Sequence, residues 1–498
     1  MEIRFFGAAA GAVILFVGTA GAAVRLGAPF RDGLVLQREM PVNVWGTAAA
    51  GECVTVSFAG KRTTAKANAS GRWCVALPPL TASKEPRRLT AGEATVSDVL
   101  VGEVWIAAGQ SNMVVPLESD TNRFRDQIGS LLAESTRRPL VRFMATPYET
   151  SGKERSAWPK DVAWTALVPE NAAARTDFSA IGWHFAVGLY DTLDVPVGIV
   201  FNAWNGSRIE GWIPPEGYAA AGLDVASDVY DAGGYGKPSS IWNGKVAPLA
   251  PMTVRGFLWY QGESNCSTGY GPKKLGGYNQ YTRLLKALYA GWRVRFGNPD
   301  LKMVVSQLAY WGNGNEWLFQ EAQDAFAASE PNAEITVIND VGIIGDIHGS
   351  DKFVTARRML ALALEHHYGL NVRADPPRIR EAVAEGPAVT LSFDHAQKLR
   401  LWSDQELELN SRFQLAGADG VFYDARIENF QCYTNARGEP RMTKGNIQGN
   451  TIRLTADRVA DPKQARYLHM NRLGNIFNEM SLPLAAFSVP VKGKGKKE

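Results

Sequence analysis

Period-two alternation dominates the chain from Val24 to about Ser97. The runs LVLQREMPVNVWG, GECVTVSFAG, RTTAKANASGRWCVALPPL and RRLTAGEATVSDVLVG alternate apolar with polar positions and are broken by Gly, Pro and Asn. Side chains along a strand point to opposite faces in turn, so the pattern predicts strands with one buried face and, together, a small sandwich. Val54, Val56 and Phe58 share a face of one run, as do Trp73, Val75 and Leu77 of another; Cys53 and Cys74 fall on the opposite faces.

The period changes at Val99. VLVGEVWIAAGQSN is an apolar strand that ends in a polar turn containing glycine, and beyond it longer helical stretches alternate with short apolar runs. SAIGWHFAVGLYDTL precedes the buried strand VPVGIVFNAW, and NQYTRLLKALYAGWRVRF precedes LKMVVSQLAY. AEITVINDV is followed by the helix DKFVTARRMLALALEHHYG, which Gly369 closes. Strand and helix in alternation predict a parallel sheet with helices on both faces, a three-layer α/β domain. After Pro376 and Pro377 the strand pattern returns in AVTLSFDHA, RFQLAGADGVFYDARIEN, TIRLTA and ARYLHMNR. The expected organisation is a leader at 1–23, a β domain at 24–97, the α/β domain at 98–373, a second β domain at 374–491 and a disordered basic tail at 492–498. The two β domains are candidates to pack on each other.

The leader is read from Phe5 to Gly18, an apolar run after Arg4, followed by small residues with Ala20 and Ala22 in the A-x-A-like pattern of a cleavage site. The run is short for a bilayer span, so a signal peptide and a periplasmic or secreted protein are expected, with no membrane association after cleavage. A formal net charge of +3 with no basic stripe excludes a nucleic-acid footprint. The isolated Cys266 and Cys432 support no metal site, and neither a metal nor a cofactor is expected. Cys53 and Cys74 leave two readings open, a cross-strand disulfide or two half-exposed thiols.

Candidate chemistry follows the predicted apolar strands, because ligands of open parallel sheets bind at the strands' carboxyl ends. Ser111 in GQSNM lies just past the first core strand, flanked by Gln110 and Asn112; it is a candidate nucleophile, or equally a polar turn or helix cap. GFLWYQGESN places Gln261, a candidate amide donor to an oxyanion, beside Glu263, a candidate orienting group. Among six histidines only His348 follows a core strand on a loop with glycines at 345 and 349, which makes it the candidate general base, with Asp346 near enough to steer the ring. In FNAWNGSRIE, Gly206 can bring its N–H close to a ligand, and Arg208 and Trp212 are candidates for holding a sugar.

Together these segments resemble the sialate O-acetylesterase family, within the SGNH-type serine hydrolases. The resemblance runs through LVLQREMPVNVWG, VLVGEVWIAAGQSNM, VPVGIVFNAWNGSRIEGW, IWNGKVAPLAP, GFLWYQGESN, GDIHGSDK and RYLHMNRLGNIFNEMSLPLAAF. It implies Ser111 as nucleophile, His348 as base, and an oxyanion hole from Ser111 N–H, Gly206 N–H and the Gln261 side chain. The wider group commonly has its acid three residues before the histidine, where this chain has Gly345; Asp346 stands one residue closer. Trp204-Asn205-Gly206-Ser207 replaces the more usual Trp-Gly-Gly-Thr. The implied reaction is hydrolysis of an acetyl ester on a sugar or glycan. A glycan-binding protein with a dead central domain, an esterase for plant or algal polysaccharides, and a lipase or thioesterase on the same scaffold are the competing readings.

Overall fold

The computed structural model describes residues 23–117, 138–166, 178–229, 233–267, 279–402, 412–434, 440–469 and 472–493. The expected leader, apart from Ala23, lies outside them. The centre is a parallel sheet of β1 (Ala94–Gly109), β2 (Val141–Ala145), β3 (Val197–Ala203), β4 (Gly256–Tyr260), β5 (Lys302–Ser306) and β6 (Ala333–Thr336). Their order is β2-β3-β1-β4-β5-β6, with Thr165–Ala166 antiparallel on the outer edge of β2. Every residue of β3 and β4 is buried, as expected of strands covered on both sides, and this is why they read as continuous apolar runs.

The single turn α1 (Ser111–Val114) leaves β1 directly, and the longer helices are α2 (Ala180–Leu193), α3 (Asn279–Arg295), α4 (Glu316–Ala327) and α5 (Lys352–Leu362). α2 packs on α5, and α3 packs on α4. Local chemistry sets their ends. Ser179 Oγ accepts the Gly182 N–H at the start of α2, and Asp351 accepts the Val354 N–H at the start of α5. α5 continues into a π-turn over Ala363–His367, and Gly369, at φ 69°, closes it in the left-handed conformation as expected.

The chain leaves β1 toward β2 and β3 on one side and later returns to build β4, β5 and β6 on the other. The end of β1 is therefore the point where strand order reverses, the usual place for a ligand crevice. Farther back on the same strand, Glu103 is fully buried. Arg38 Nε reaches its carboxylate at 2.6 Å, Arg255 Nε and Nη2 at 3.0 Å, and the Tyr368 hydroxyl at 2.9 Å. Burial pushes this carboxyl's pKa up, but the two guanidiniums outweigh it and hold the net value below the ordinary one. One carboxylate thus ties the N-terminal segment, the strand before β5 and the end of the α5 extension to β1.

The boundary expected at 97 falls inside β1. Its first half pairs antiparallel with Ser83–Ala91, and Leu100–Gly102 pair in parallel with Val35–Gln37. Val54, Val56 and Trp73 belong to the same continuous core as Trp105 and Trp259. The C-terminal β segment has its own core around Leu391, Phe413, Leu454 and Tyr467, which Tyr310 of the central region joins by donating to the Leu468 carbonyl at 2.7 Å. The two β segments thus bury their faces separately. Lys492–Gly493, placed in the disordered tail by sequence, pair in parallel with Val383–Ala384; the rest of that tail lies outside the described residues. All four cysteines are free. Cys53 pairs across from Lys66 and Cys74 across from Trp45, so the two never face each other: the run 61–66, rather than 72–77, forms the hairpin with 53–58.

Gly109, at φ 135°, is paired with Tyr260 where β1 meets β4; a Cβ there would lie 2.1 Å from the Tyr260 carbonyl oxygen. Gly109→Ala should cost on the order of 3 kcal/mol or more, from backbone strain and forced separation of the strands. Denaturant unfolding checks this, and a loss below about 1 kcal/mol would mean the strands part freely.

Candidate active site

Three strand ends are stitched together around Ser111. The Trp204 N–H donates to the Gly109 carbonyl, and the Gln110 N–H donates to the Tyr260 carbonyl, both at 2.9 Å. The loops after β3, β1 and β4 are therefore held side by side. Ser111 is partly exposed as the first residue of α1, so its N–H lacks an intrahelical acceptor. Among the described residues, neither the Ser111 nor the Gly206 N–H meets an acceptor. Gly206 has φ 65°, the left-handed conformation that its lack of a Cβ permits.

The flanking residues are turned inward and support this turn. Gln110 Oε1 accepts Gln261 Nε2 at 3.0 Å, the Ser264 N–H at 3.2 Å and the Gly262 N–H at 3.4 Å. Gln261 is fully buried, and Ser207 O (3.1 Å) and Asn265 Oδ1 (2.7 Å) also surround its Nε2. With two amide hydrogens and three acceptors, the Gln261 side chain is committed to the loops and is not presented to the crevice. Arg208 and Trp212 are buried as well. Arg208 reaches the Ser264 carbonyl at 3.2 Å and Glu210 at 3.3 Å, while Trp212 Nε1 donates to Ser207 Oγ at 3.0 Å and its ring stands edge-on to Trp259. Both brace the Gly206 loop from behind, because the 3-10 turn Ile209–Trp212 folds back into the core, and neither has a surface to offer a sugar.

Asn112 connects the serine turn to the histidine loop. Its Nδ2 donates to Glu263 Oε1 at 2.5 Å and to the Ile347 carbonyl at 3.0 Å. Ser111 and His348 are each the immediate neighbour of a bridged residue. The loop is also fastened by Lys352, a buried residue with no obvious signal in the sequence beyond its place in the first turn of α5. Its Nζ donates to the carbonyls of His348 (2.8 Å) and Ser350 (2.6 Å), and the Ser350 hydroxyl meets that of Tyr260 at 3.1 Å.

His348 itself is exposed, and among the described residues no hydrogen bond joins its ring to the Ser111 hydroxyl. Partial desolvation and the Lys352 ammonium hold its pKa below 6.5, against the opposing pull of Asp346, so the ring is neutral and able to accept a proton at neutral pH. Asp346 is exposed, and its Oδ1 accepts the backbone N–H of His348 at 2.8 Å; it shapes the turn rather than bonding the imidazole. The other histidines are engaged elsewhere. Burial pushes His184 to about 4 and His367 to about 3, Asp375 holds His366 at about 9, His395 Nδ1 lies 3.6 Å from Asp375 Oδ2, and His469 stacks on Trp317. Glu365, His366 and Asp375 form the group among the described residues whose ligand atoms cluster within 4.8 Å, but the His366–Asp375 bond and the Glu365 bond to the Ala374 N–H already engage it.

Residues 101–352 match the family model for carbohydrate esterases of the sialic acid-specific acetylesterase type. The chain belongs to this family. It is 31% identical over 301 residues to the human sialate O-acetylesterase, covering 56% of this chain and about half, 54%, of that protein. It is 26% identical over 462 residues to the rat sialate O-acetylesterase, covering 78% of this chain and 83% of that one. A crystal structure of a carbohydrate acetylesterase from Xanthomonas citri superimposes with a TM-score of 0.77 at 29% identity, over 94% of this chain and 99% of that one. In this member of the esterase family no helix among the described residues is long and apolar enough to cross a membrane.

Glu263 yields a test of the buried web. Burial raises its pKa from 4.5 to about 7, against the Asn112 bond and the Lys352 charge. The folded chain therefore holds this proton more tightly than the unfolded one; the resulting stabilisation is complete below the unfolded value and lost as pH rises through about 7. Glu263→Gln keeps an acceptor for Asn112 and never ionises. Its melting temperature should match wild type near pH 5 and exceed it by several degrees near pH 8. A variant less stable at both values would show that the site accommodates the carboxylate charge.

Proposed function

We propose that this chain is an exported carbohydrate O-acetylesterase that works through an acetyl-enzyme on a three-layer SGNH-like scaffold. The observation that carries the reading is the Asn112 bridge, which fastens the turn bearing Ser111 to the loop bearing His348 at the sheet's switch point. Beside it lie two backbone N–H groups, at Ser111 and Gly206, without acceptors among the described residues.

Ser111 Oγ attacks the acetyl carbonyl carbon while His348 takes the hydroxyl proton. The Ser111 and Gly206 N–H groups receive the negative charge of the tetrahedral intermediate, each such donor being worth roughly 10²–10³ in rate. His348 returns the proton to the departing sugar oxygen, the C–O bond breaks, and the acetyl group remains as an ester on Ser111 Oγ. Water, deprotonated by the same imidazole, then releases it. Gln261 acts by holding Ser207 and Gln110, and Asp346 by holding the His348 turn, so the working pair is a serine–histidine dyad. The substrate is an O-acetylated sugar or glycan, a class supported by the names of the relatives; sialosides and acetylated plant or algal polysaccharides both belong to it. Export rests on the apolar run Phe5–Gly18 and the small residues after it.

Ser111→Ala should lose acetate release by roughly 10⁶ while the fold survives. A variant that keeps more than a trace of turnover removes the serine from its role. Asp346→Asn preserves the oxygen that caps the His348 N–H, and kcat should fall less than about tenfold; a loss near 10⁴ would restore a full triad.

A further inference from the structure

Three aromatic side chains stand beside the Gly206 loop in an arrangement that burial does not explain. Trp204 stacks on Tyr235, with ring centroids 5.6 Å apart and planes 21° apart, and Tyr148 meets Trp204 edge-on at 5.1 Å. Tyr148 is 52% exposed and Tyr235 43%, so large rings remain in water although each is held by a neighbour. The residues come from separate places: Tyr148 follows β2, Trp204 is the first residue after β3, and Tyr235 lies in the short 3-10 turn Gly234–Gly236.

The cluster is continuous with the candidate site. Trp204 N–H bonds the Gly109 carbonyl, two residues before the nucleophile, and a Cβ on Gly206 would sit 3.2 Å from the Tyr235 hydroxyl. In the sheet order, β2 and β3 lie on one side of β1, whereas β6, which leads to the His348 loop, lies on the other. An ester positioned over Ser111 therefore has its base on one flank and this aromatic wall on the opposite one.

The fold also commits a buried lysine to keeping Tyr148 in place. Lys245 Nζ donates to the carbonyls of Thr146 (2.8 Å) and Pro147 (3.1 Å) and lies 4.7 Å from the centre of the Tyr148 ring. Lys245 is almost wholly buried, and burial pushes its pKa down to about 7, so the contact is made against a desolvation cost.

We infer that Tyr148, Trp204 and Tyr235 form a stacking wall for the pyranose ring that carries the acetyl group, with Lys245 as the positioning residue for Tyr148. This deepens the proposed function and rests on it for the position of the ester. A pyranose presents an apolar C–H face and a hydroxylated rim. Aromatic faces match the first, and the phenolic hydroxyls of Tyr148 and Tyr235 can bond the second.

The test compares a ringed with a ringless acetate, glucose pentaacetate against glycerol triacetate, by acetate release. In the double variant Tyr148→Leu/Tyr235→Leu the ratio of kcat/KM for the ringed over the ringless ester should fall about tenfold or more. Tyr148→Phe/Tyr235→Phe keeps the ring faces and should retain most of that ratio, which guards against a mere folding defect. Lys245→Met should raise KM for the ringed ester with little change in kcat. A ratio within about twofold of wild type in the leucine variant would overturn the wall. Ser111→Ala, assayed in parallel, fails or succeeds independently: residual turnover there sinks the nucleophile while the ratio still decides the wall.

Discussion

A single strand carries two obligations at once. β1 is the outer strand of the N-terminal sheet over its first half and the centre of the parallel sheet over its second. Glu103, near its middle, gathers two arginines and a tyrosine from distant segments, and a buried carboxylate left without those partners would be strongly destabilising. At its end Gly109 admits the Tyr260 carbonyl where no other residue fits. With its middle and its end both fixed, the strand delivers Ser111 to the switch point in one orientation.

The polar residues around Ser111 divide into those that stay in contact with water and those buried among the loops. Gln110, Gln261 and Arg208 are buried and spend hydrogen bonds on backbone groups of neighbouring loops, and Trp212 spends its own on the Ser207 hydroxyl. Such a web is costly if any member is unpaired, and its value is rigidity: the N–H groups at 111 and 206 cannot collapse onto protein acceptors. Asn112 and Lys352 extend the same restraint to His348, whose ring stays in contact with water and below its ordinary pKa.

The strand framework around these residues was legible in the periodicity of the chain. Ser111, Gly206 and His348 were marked by lying just past apolar runs, and the runs at β3, β4 and β5 became parallel strands as their composition predicted. The roles of their neighbours were less legible, because Trp204 and Trp212 carry the same side chain eight residues apart, yet Trp212 is buried within the 3-10 turn Ile209–Trp212 and Trp204 stays partly exposed. Asp346 shows the same limit: proximity to His348 in sequence permitted a bond to the ring, and the turn used the carboxylate on the backbone instead. The choice between a Cys53–Cys74 bridge and two free thiols stayed open for a related reason, since two alternating runs do not say which of their neighbours each will pair with; the pairing leaves both thiols free.

Sequence alone determined the alternation of strand and helix, the faces that are buried, and the positions of Ser111 and Gly206 just past core strands, because each follows from local periodicity and backbone preference. Tertiary structure alone decided strand order, the fusion of the N-terminal segment with the central core, and the separate core of the C-terminal segment. It also decided which polar side chains point into the protein and which aromatic ones stay in contact with water. These are questions of which distant surfaces meet, and they are settled by packing and hydrogen-bond satisfaction over the whole chain.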